Sequence, residues 1–453
     1  MTNNKGTDRT MSPRVALVNL GCAKNLVDSE HIASLLEEAG VEITTDATDA
    51  PIVIINSCGF IDIAKEESID TILEIADLKD TGNLHRLIIT GCLTERYGSE
   101  LSDLIPEADV MLGIDTHGAA RAALWALGMR NSLPAQCNMR SHRFTPPFWA
   151  YLRISDGCDN CCAYCSIPSI RGPLVSRPME EILSEAEDLI ESGARELNVI
   201  AQDTTAYWRD RGKPRLHTLL SELCNIQNDV WIRLLYTHPR HFYPELIDVL
   251  TQEPSIIPYL DIPLQHISDP VLAAMGRGVT QSDIELLITN LRSRISQLTL
   301  RTTFMVGFPG ETDQHFNELM DFVREQRFER MGAFKYSAEE DTPAAGFDEV
   351  VEEEAQEERY HRLMSLQQDI AHEISEDRIG NTTTVLVEEG REEGSENMAV
   401  GRSVAEAPDV DPLIFIDDAE TVHRGQKIKA EITGAHGYDC IARPVLGDTG
   451  GKL

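Results

Sequence analysis

Residues 157–168 read GCDNCCAYCSIP and place Cys158, Cys162 and Cys165 in the spacing C-x3-C-x2-C. A [4Fe–4S] cluster takes four ligands, which are usually cysteine thiolates. Three cysteines therefore leave one iron with an open position, as a catalytic metal site does. This stretch predicts an enzyme in which a small molecule binds the open iron.

A second set of three cysteines ends three apolar runs in the first part of the chain. Cys22, Cys58 and Cys92 stand in NLGC, NSCG and TGCL, and one strand-helix unit separates each from the next. The carboxyl ends of successive parallel strands open on one edge of a sheet, where ligands bind. We expect the three thiols to converge there on a second cluster with an open iron. The alternative is that they are small buried packing residues.

The chain has ten cysteines, and its first ten residues, MTNNKGTDRT, contain no apolar signal region. Cysteines in a chain without a secretion signal favour metal binding over a disulfide framework. No apolar run approaches the roughly 20 residues that a membrane span needs. We therefore expect a cytoplasmic protein with no membrane segment. Cys161 receives no role, and Cys137, Cys224 and Cys440 are isolated and predicted to be packing residues.

The charge is strongly acidic, with 75 Asp and Glu against 40 Lys and Arg, a net charge of −35. A protein that binds nucleic acid through its backbone usually carries a basic footprint. Nucleic acid is therefore not expected as the direct substrate, and the field favours a basic partner. The alternative is an acidic proteome in which this charge serves solubility.

The apolar pattern predicts an α/β protein in three parts. Residues 12–130 alternate short runs rich in Val, Ile and Leu (VALVNL, IVIINS and RLIIT) with helical stretches such as HIASLLEEAG. Such alternation is typical of a parallel sheet covered by helices on both sides. We therefore predict an N-terminal parallel-sheet α/β domain that carries the first cysteine set.

After a proline-containing linker at about residues 131–147, strand-helix alternation resumes. Residues 144–378 contain six such units, which predict an open or partial (β/α) barrel. A helix at about residues 355–379 then leads out of the barrel. Residues 379–447 contain five short β runs broken by Gly, Asp and Pro, a pattern that predicts a small antiparallel β-barrel.

Catalytic groups are expected where the barrel strands end, at the mouth of the barrel. The second-rank candidates for catalysis are Gln202, Asp203, Gln265 and His266. The candidates for cofactor binding are Tyr164, Arg233, Gly307, Pro309, Gly310 and Glu311. Each has an ordinary alternative: a tight turn also uses Gly and Pro, and a buried histidine is often a satisfied hydrogen-bonding residue.

The first cysteine motif with a partial barrel behind it resembles the radical S-adenosylmethionine superfamily. That resemblance implies that the open iron binds S-adenosylmethionine, whose reductive cleavage yields a radical that abstracts hydrogen. It also implies that a low-potential electron donor serves the cluster. Tyr164, between two of the cysteines, is then placed to stack on the adenine or to shield the cluster from water.

The second trio narrows the resemblance to the methylthiotransferases, over nearly the whole chain. Two [4Fe–4S] clusters and a terminal barrel of the TRAM type are then implied. LGCAKNLVDSE, NSCGF, AQDT and GRSVAEAPDVD resemble the motifs of the RimO-type branch, with Ala23 in place of a proline. That branch methylthiolates the β-carbon of an aspartate in small-subunit ribosomal protein twelve. It uses two S-adenosylmethionine molecules, one as methyl donor and one as radical source.

The acidic run at Glu339, Glu340 and Asp341 supports that branch, because acids suit a cationic ribosomal protein and repel RNA phosphates. Two alternatives stay open. One is the MiaB-type branch, which methylthiolates an adenosine in transfer RNA. The other, less favoured, is a scaffold that stores or passes on iron–sulfur clusters, since a carrier needs no radical-generating barrel.

Overall fold

A computed structural model describes residues 13–80, 82, 84–134, 140–390, 398–418 and 422–445. It divides the chain into two units, each with its own packed interior. The first comprises Met1–Phe144 and Ser166–Gly172, and the second comprises Thr145–Cys165 and Pro173–Leu453. The predicted α/β fold class is confirmed in both units, as the sheets below show.

The first unit is built on a five-stranded sheet in which every neighbouring pair is parallel, in the order β2-β1-β3-β4-β5. All six residues of the central strand β3 are buried, as expected when helices cover both faces. The strands are β1 (Arg14–Asn19), β2 (Glu42–Thr44), β3 (Ile52–Ser57), β4 (Arg86–Gly91) and β5 (Val110–Met111).

Helices α1 (Ala23–Glu38), α2 (Asp62–Ala76), α3 (Cys92–Leu104) and α4 (Thr116–Ala126) connect and cover these strands. Two apolar clusters, one on each face of the sheet, form the core of the unit. The short helix α5 (Ile167–Arg171) also belongs to this unit, although residues of the second unit flank it on both sides along the chain.

The second unit contains an open six-stranded parallel sheet, as predicted for the partial barrel. Its order is β13-β12-β11-β10-β9-β6. The strands are β6 (Trp149–Arg153), β9 (Glu196–Ile200), β10 (Trp231–Leu234), β11 (Ile256–Asp261), β12 (Thr299–Val306) and β13 (Arg330–Lys335). Strands β7 (Ser155–Asp156) and β8 (Val175–Ser176) pair antiparallel on either side of the cysteine loop.

One large apolar cluster lies between this sheet and its outer helices. The helices are α6 (Met179–Glu191), α7 (Leu216–Ile226), α8 (Pro244–Gln252), α9 (Asp269–Ala274), α10 (Gln281–Arg294) and α11 (Asp313–Gln326). Helix α12 (Glu353–Asp377) follows the last strand and begins two residues before the predicted start. No helix in the described part of the chain combines the length and apolar character needed to cross a membrane.

The C-terminal strands close into a barrel in the order β14-β15-β16-β18-β17. They are β14 (Thr382–Glu389), β15 (Ala399–Ser403), β16 (Ile414–Ile416), β17 (Lys427–His436) and β18 (Asp439–Pro444). Four pairs are antiparallel as predicted, whereas β16 and β18 are parallel. The reason is topological, since directions cannot alternate all the way round a ring of five strands.

Strand β15 and the segment between β15 and β16 hold the C-terminal barrel against the parallel sheet through buried ion pairs. Glu196 on β9 accepts hydrogen bonds from Arg233 at 2.7 Å and from Arg402 at 2.8 Å, and all three residues are fully buried. Burial alone would raise the pKa of Glu196, but the two guanidinium groups outweigh it and lower that pKa.

A second buried acid and two tyrosines extend this contact. Glu406 pairs with Arg330 at 2.7 Å and with Arg378 at 2.6 Å, and these cations overcome the effect of burial and lower its pKa to about 2. The hydroxyl groups of Tyr151 and Tyr259 donate to the carboxylates of Asp409 and Asp411. The segment is therefore fixed to the sheet by charge and hydrogen bonds.

Replacing Glu196 by alanine should lower the free energy of unfolding by about 3–5 kcal/mol, because it leaves the Arg233 cation buried without its carboxylate. The midpoint of urea unfolding measures this change. Asp248→Ala is the matched control, since its ion pair with Arg294 is exposed and is worth at most about 1 kcal/mol. Equal losses in the two variants would contradict a special role for the buried network.

Candidate active site

The three N-terminal cysteines lie at the carboxyl edge of the first sheet. Strands β1, β3 and β4 are adjacent, and Cys22, Cys58 and Cys92 follow their last residues within three positions. Cys22 precedes the first residue of α1, and Cys92 is the first residue of α3. The parallel sheet thus brings together three residues that are far apart along the chain, as the sequence predicts.

Asn25 lies between the cysteines. Its side-chain oxygen accepts from Cys22 Sγ at 3.9 Å and from Cys92 Sγ at 3.5 Å. Its side-chain amide donates to the carbonyl groups of Leu20 and Ser57, both at 3.1 Å. Asn25 therefore ties the loops after β1 and β3 together and orients two of the sulfurs.

Gly21 brings the first cysteine loop against Cys58. A Cβ atom at Gly21 would lie 2.8 Å from Cys58 Cβ and 2.9 Å from Cys58 Sγ, and the residue has a φ of +91°. Both the contact and the left-handed backbone require glycine. The close approach that gathers the thiols thus depends on the absence of a side chain here.

Arg171 on α5 supplies a buried cation beside this trio, within the first unit. Its guanidinium donates to Asn25 Oδ1 and Asp28 Oδ2, both at 2.8 Å, and to Cys92 Sγ at 3.7 Å. Burial raises the pKa of Cys92 to about 12, and Arg171 opposes that rise. A buried thiolate needs such a cation, or a bound metal, to offset its lost hydration.

The second trio lies in the loop between β7 and α5, where Cys158, Cys162 and Cys165 are half-buried. Asp203 anchors this loop. It accepts from Asn160 Nδ2 at 2.8 Å and from His241 Nδ1 at 2.7 Å, and the Thr205 hydroxyl donates to it as well. Burial alone would raise the pKa of Asp203, but its hydrogen bond with His241 and the nearby charges lower that pKa to about 2.

Arg277 is the counterpart of Arg171 at the second trio. Its guanidinium lies 3.5 Å from Cys162 Sγ and 3.4 Å from the Tyr164 hydroxyl, and it also donates to the Pro263 carbonyl. Burial acts to lower the pKa of Arg277, but Tyr164 and Cys162 raise it, so the group stays charged. Each cysteine trio therefore has one buried arginine against one of its sulfurs.

The donor sets fit iron–sulfur clusters better than single ions. Within the described residues, the one set of three His, Cys, Asp or Glu ligand atoms with single-ion spacing is Asp203, His238 and His241, all within 4.8 Å of one another. Neither cysteine trio is that tight, whereas a cluster holds its thiolates at separate corners. The Asp203 set does not suit a metal, because His238 Nδ1 accepts from the Arg240 amide and its Nε2 therefore carries a proton.

The second-rank candidates at the barrel mouth have defined partners. Gln202 donates to Asp156 at 2.9 Å. Gln265 has a φ of +73° and pairs through its backbone with β12. His266 accepts at Nδ1 from the Ser268 amide, and its Nε2 lies 3.7 Å from Glu311 Oε1. None of these contacts tests the proposed catalytic roles of the three residues, which remain predictions.

The turn GFPGET has a local explanation for its glycines and its acid. Gly307 and Gly310 have φ values of +74° and +83°, and a Cβ at Gly307 would collide with the side chain of Gln356. Glu311 accepts from the Gly307 amide and lies 3.4 Å from Arg359. The glycines and the acid are therefore explained by the conformation and packing of the turn itself, and Pro309 lies within it.

Arg233 was expected to bind the cofactor at the barrel mouth, but its side chain is buried in an ion-pair network. It is fully buried in the network with Glu196, and it also donates to the Val404 carbonyl at 3.0 Å. Its polarity serves the contact with the C-terminal barrel. No pattern in the sequence indicates this contact, because Val404 lies 171 positions from Arg233 along the chain.

The remaining cysteines divide by exposure. Cys161 is exposed, whereas Cys224 and Cys440 are buried, as expected of packing residues. Cys137 lies outside the described residues. Asn25, Arg171 and Arg277 were not singled out by sequence reasoning, although Asn25 follows Cys22 by three positions and Arg171 follows Cys165 by six.

Substituting Gly21 by alanine should lower the iron bound after anaerobic reconstitution by about half, because the new Cβ displaces Cys58 and one of two clusters is lost. Iron analysis per chain measures this. Gly40→Ala is the matched control, since Gly40 also has a left-handed φ of +84° but a Cβ added there would meet no atom within 4 Å. A full iron content in Gly21→Ala would contradict the assignment.

Three family models match the chain: Uncharacterized protein family UPF0004 over residues 14–113, the Radical SAM superfamily over residues 152–323 and the TRAM domain over residues 379–445. Solved structures support the fold. A radical S-adenosylmethionine methyltransferase, TsrM, from Kitasatospora setae superposes with a TM-score of 0.55 at 14% identity, over 79% of this chain and 89% of that one.

Curated relatives are much closer in sequence. The ribosomal protein uS12 methylthiotransferase RimO of Myxococcus xanthus is 43% identical over 96% of this chain and 93% of its own length. The protein of the same name from Clostridioides difficile is 42% identical over 94% of this chain and 98% of its own length. The chain belongs to the RimO family of radical S-adenosylmethionine methylthiotransferases.

Proposed function

We propose that this enzyme methylthiolates the β-carbon of an aspartate in small-subunit ribosomal protein uS12. The observation that carries the proposal is the pair of cysteine trios, each with a buried arginine at one sulfur. One trio accounts for radical generation alone. A second trio, built into a separate sheet edge, supplies the place where sulfur is delivered, and the relatives named above carry the corresponding activity.

The ligands in this proposal are Cys22, Cys58 and Cys92 for one [4Fe–4S] cluster and Cys158, Cys162 and Cys165 for the other. When bound, the clusters and S-adenosylmethionine supply the radical, the methyl group and the site for sulfur. In the substrate a C–H bond is broken and a C–S bond is formed, and the hydrogen leaves with the 5′-deoxyadenosyl group. A low-potential donor supplies the electron that the cleavage consumes.

The chain's own residues hold these groups in place. Asn25 and Arg171 orient the N-terminal thiols, and Asp203 fixes the loop of the second trio through Asn160. At the barrel mouth we retain Tyr164, Gly307, Pro309, Gly310 and Glu311 for cofactor binding and Gln202, Gln265 and His266 as second-rank catalytic candidates. We assign Asp203 a positioning role. We do not include Arg233 among the cofactor-binding residues, because its guanidinium contacts Glu196 and the Val404 carbonyl.

The substrate's charge is inferred from the acidic surface. Glu340 and Asp341 are exposed, whereas Glu339, which the sequence grouped with them, is 3% exposed and accepts from Ser337. Two exposed acids and a net charge of −35 suit a cationic ribosomal protein better than an RNA backbone. We place the reaction in the cytoplasm, where ribosomal proteins meet their modifying enzymes.

The proposed division of the chain is an N-terminal methylthiotransferase domain at residues 12–130, a radical barrel at residues 144–378 and a TRAM-like barrel at residues 379–447. Each contributes a separate part of the function. The first holds the sulfur site, the second cleaves S-adenosylmethionine, and the third is proposed to grasp the protein substrate.

The Cys58→Ala variant should still form 5′-deoxyadenosine but should give no methylthiolated product, because only the sulfur half of the reaction depends on the N-terminal trio. Cys162→Ala should lose both activities. Chromatography of the nucleoside and mass spectrometry of uS12, with the Cys224→Ala variant as control, separate these outcomes. A Cys58→Ala variant that kept two full clusters and full product would contradict the N-terminal site.

Protein uS12 from cells that carry the enzyme should gain the mass of one methylthio group on an aspartate, and cells without the gene should show the unmodified protein. Peptide mass spectrometry locates the change. A methylthio-modified nucleoside in transfer RNA, with uS12 unchanged, would instead establish the nucleic-acid branch of the family. If neither product appeared and the chain only transferred clusters, it would be a scaffold.

A further inference from the structure

The loop that carries the second cysteine trio has an exposed edge. Asp159 and Cys161 are exposed and Cys158 is half-buried, so this part of the loop faces solvent. A cavity of about 300 Å³ opens beside it, lined by the loop and by Asp203, Arg209, Arg240 and Arg277 among others. The cysteine loop can therefore be approached from outside at this point.

The chain beside this cavity is basic, against the trend of the whole protein. Residues 208–215 read WRDRGKPR, with four cations and one acid in a chain of net charge −35. The acid, Asp210, is turned inward and accepts from the Ser176 amide and hydroxyl at 3.0 and 2.6 Å. The Asp210 carboxylate is therefore mostly buried against Ser176 and contributes little negative charge to the surface.

Four cations remain available on this surface. Arg209, Lys213, Arg215 and Arg240 are exposed, and among the described residues none of them has a carboxylate within salt-bridge distance. We call these four residues the basic rim. Most arginines described above are paired with an acid, so the basic rim is a local exception.

One residue of the basic rim, Arg215, packs on Trp208 together with the neighbouring Arg211. The guanidinium of Arg211 lies 4.7 Å from the centre of the Trp208 ring and donates to the Ser176 carbonyl, and Arg215 lies 5.5 Å from the same ring. Trp208 itself adopts a left-handed backbone with a φ of +74°. A side chain that is already ordered, as Arg215 is here, loses less entropy when a partner binds.

We propose that the basic rim is the docking surface for an acidic, low-potential, one-electron carrier protein, which reduces the cluster through the exposed edge of the cysteine loop. This inference rests on the proposed function, because it requires that Cys158, Cys162 and Cys165 hold the cluster that must be reduced. The carrier loses one electron and the cluster gains one. No covalent bond or proton is exchanged between the two proteins.

The charge and size of the surface favour this partner. Electron-transfer encounters use small interfaces, below about 1,200 Å², and complementary charge raises their association rates by about 10- to 1,000-fold. A nucleic acid would also be attracted by cations. Binding through phosphates, however, usually involves a broader basic footprint than the four cations of the rim.

The experiment compares two reductants with the reconstituted, full-length enzyme. Reduced flavodoxin is the acidic protein donor, and reduced methyl viologen is a small cation that needs no docking surface. The variants are Arg209→Glu/Lys213→Glu and, separately, Arg240→Glu. The control is Arg324→Glu/Arg362→Glu, which changes the net charge by the same amount as the double rim variant. Both arginines are exposed on outer helices, and each forms an ion pair with an acid on its own helix.

Stopped-flow absorbance follows cluster reduction, and chromatography follows 5′-deoxyadenosine. The rim variants should react with flavodoxin about tenfold more slowly at low salt, and the difference should shrink as salt screens the charges. Their rates with methyl viologen should equal those of the unmodified chain, and the control should be unchanged with both donors.

Equal flavodoxin rates in rim variants and control would overturn the proposal. So would rim variants that kept those rates but lost binding to ribosomal RNA, because the rim would then be a nucleic-acid surface. If the unmodified enzyme made no 5′-deoxyadenosine with methyl viologen, the proposed function would fail. The stopped-flow comparison would still report separately on docking.

Discussion

The direction of the strands in the two parallel sheets is the constraint on which both candidate sites depend. Successive parallel strands end on one edge, so residues one strand-helix unit apart become neighbours. In the first unit this edge gathers Cys22, Cys58 and Cys92, and Gly21 allows the loops to approach. In the second unit it gathers the polar groups after β9, β11 and β12. The residues in the loops can change without altering which strand ends lie next to one another.

Each unit places one buried arginine against a cysteine sulfur. Arg171 and Arg277 lie against cysteine sulfurs in surroundings where a lone thiolate would be strongly disfavoured. The two arginines differ in their partners, since Arg171 pairs with Asp28, whereas Arg277 contacts the Tyr164 hydroxyl and a backbone carbonyl. The N-terminal site thus carries a neutral ion pair beside its sulfur, and the barrel site carries a cation.

The sequence was sufficient to predict the parts of the fold that periodicity controls. The apolar runs predicted every strand of both parallel sheets that borders a cysteine, and the cysteine spacing predicted which edges matter. It was not sufficient for Asn25, Arg277 or the buried network around Arg233, because each depends on a partner brought close only by tertiary packing. The parallel pair in the C-terminal barrel also escaped prediction, since it follows from closing five strands rather than from any local pattern.

In a chain as acidic as this one, a local basic rim favours the docking of an acidic electron carrier. A field that attracts a cationic ribosomal protein repels an acidic electron carrier at the same time. Screening limits both effects to about 8 Å at physiological ionic strength, so the charges at the point of contact decide which partner docks there. Arg209 and Arg240 line the cavity beside the cysteine loop, and Lys213 and Arg215 follow Arg209 closely along the chain, so this surface carries positive charge. One chain can then receive two partners of opposite charge, each on its own surface.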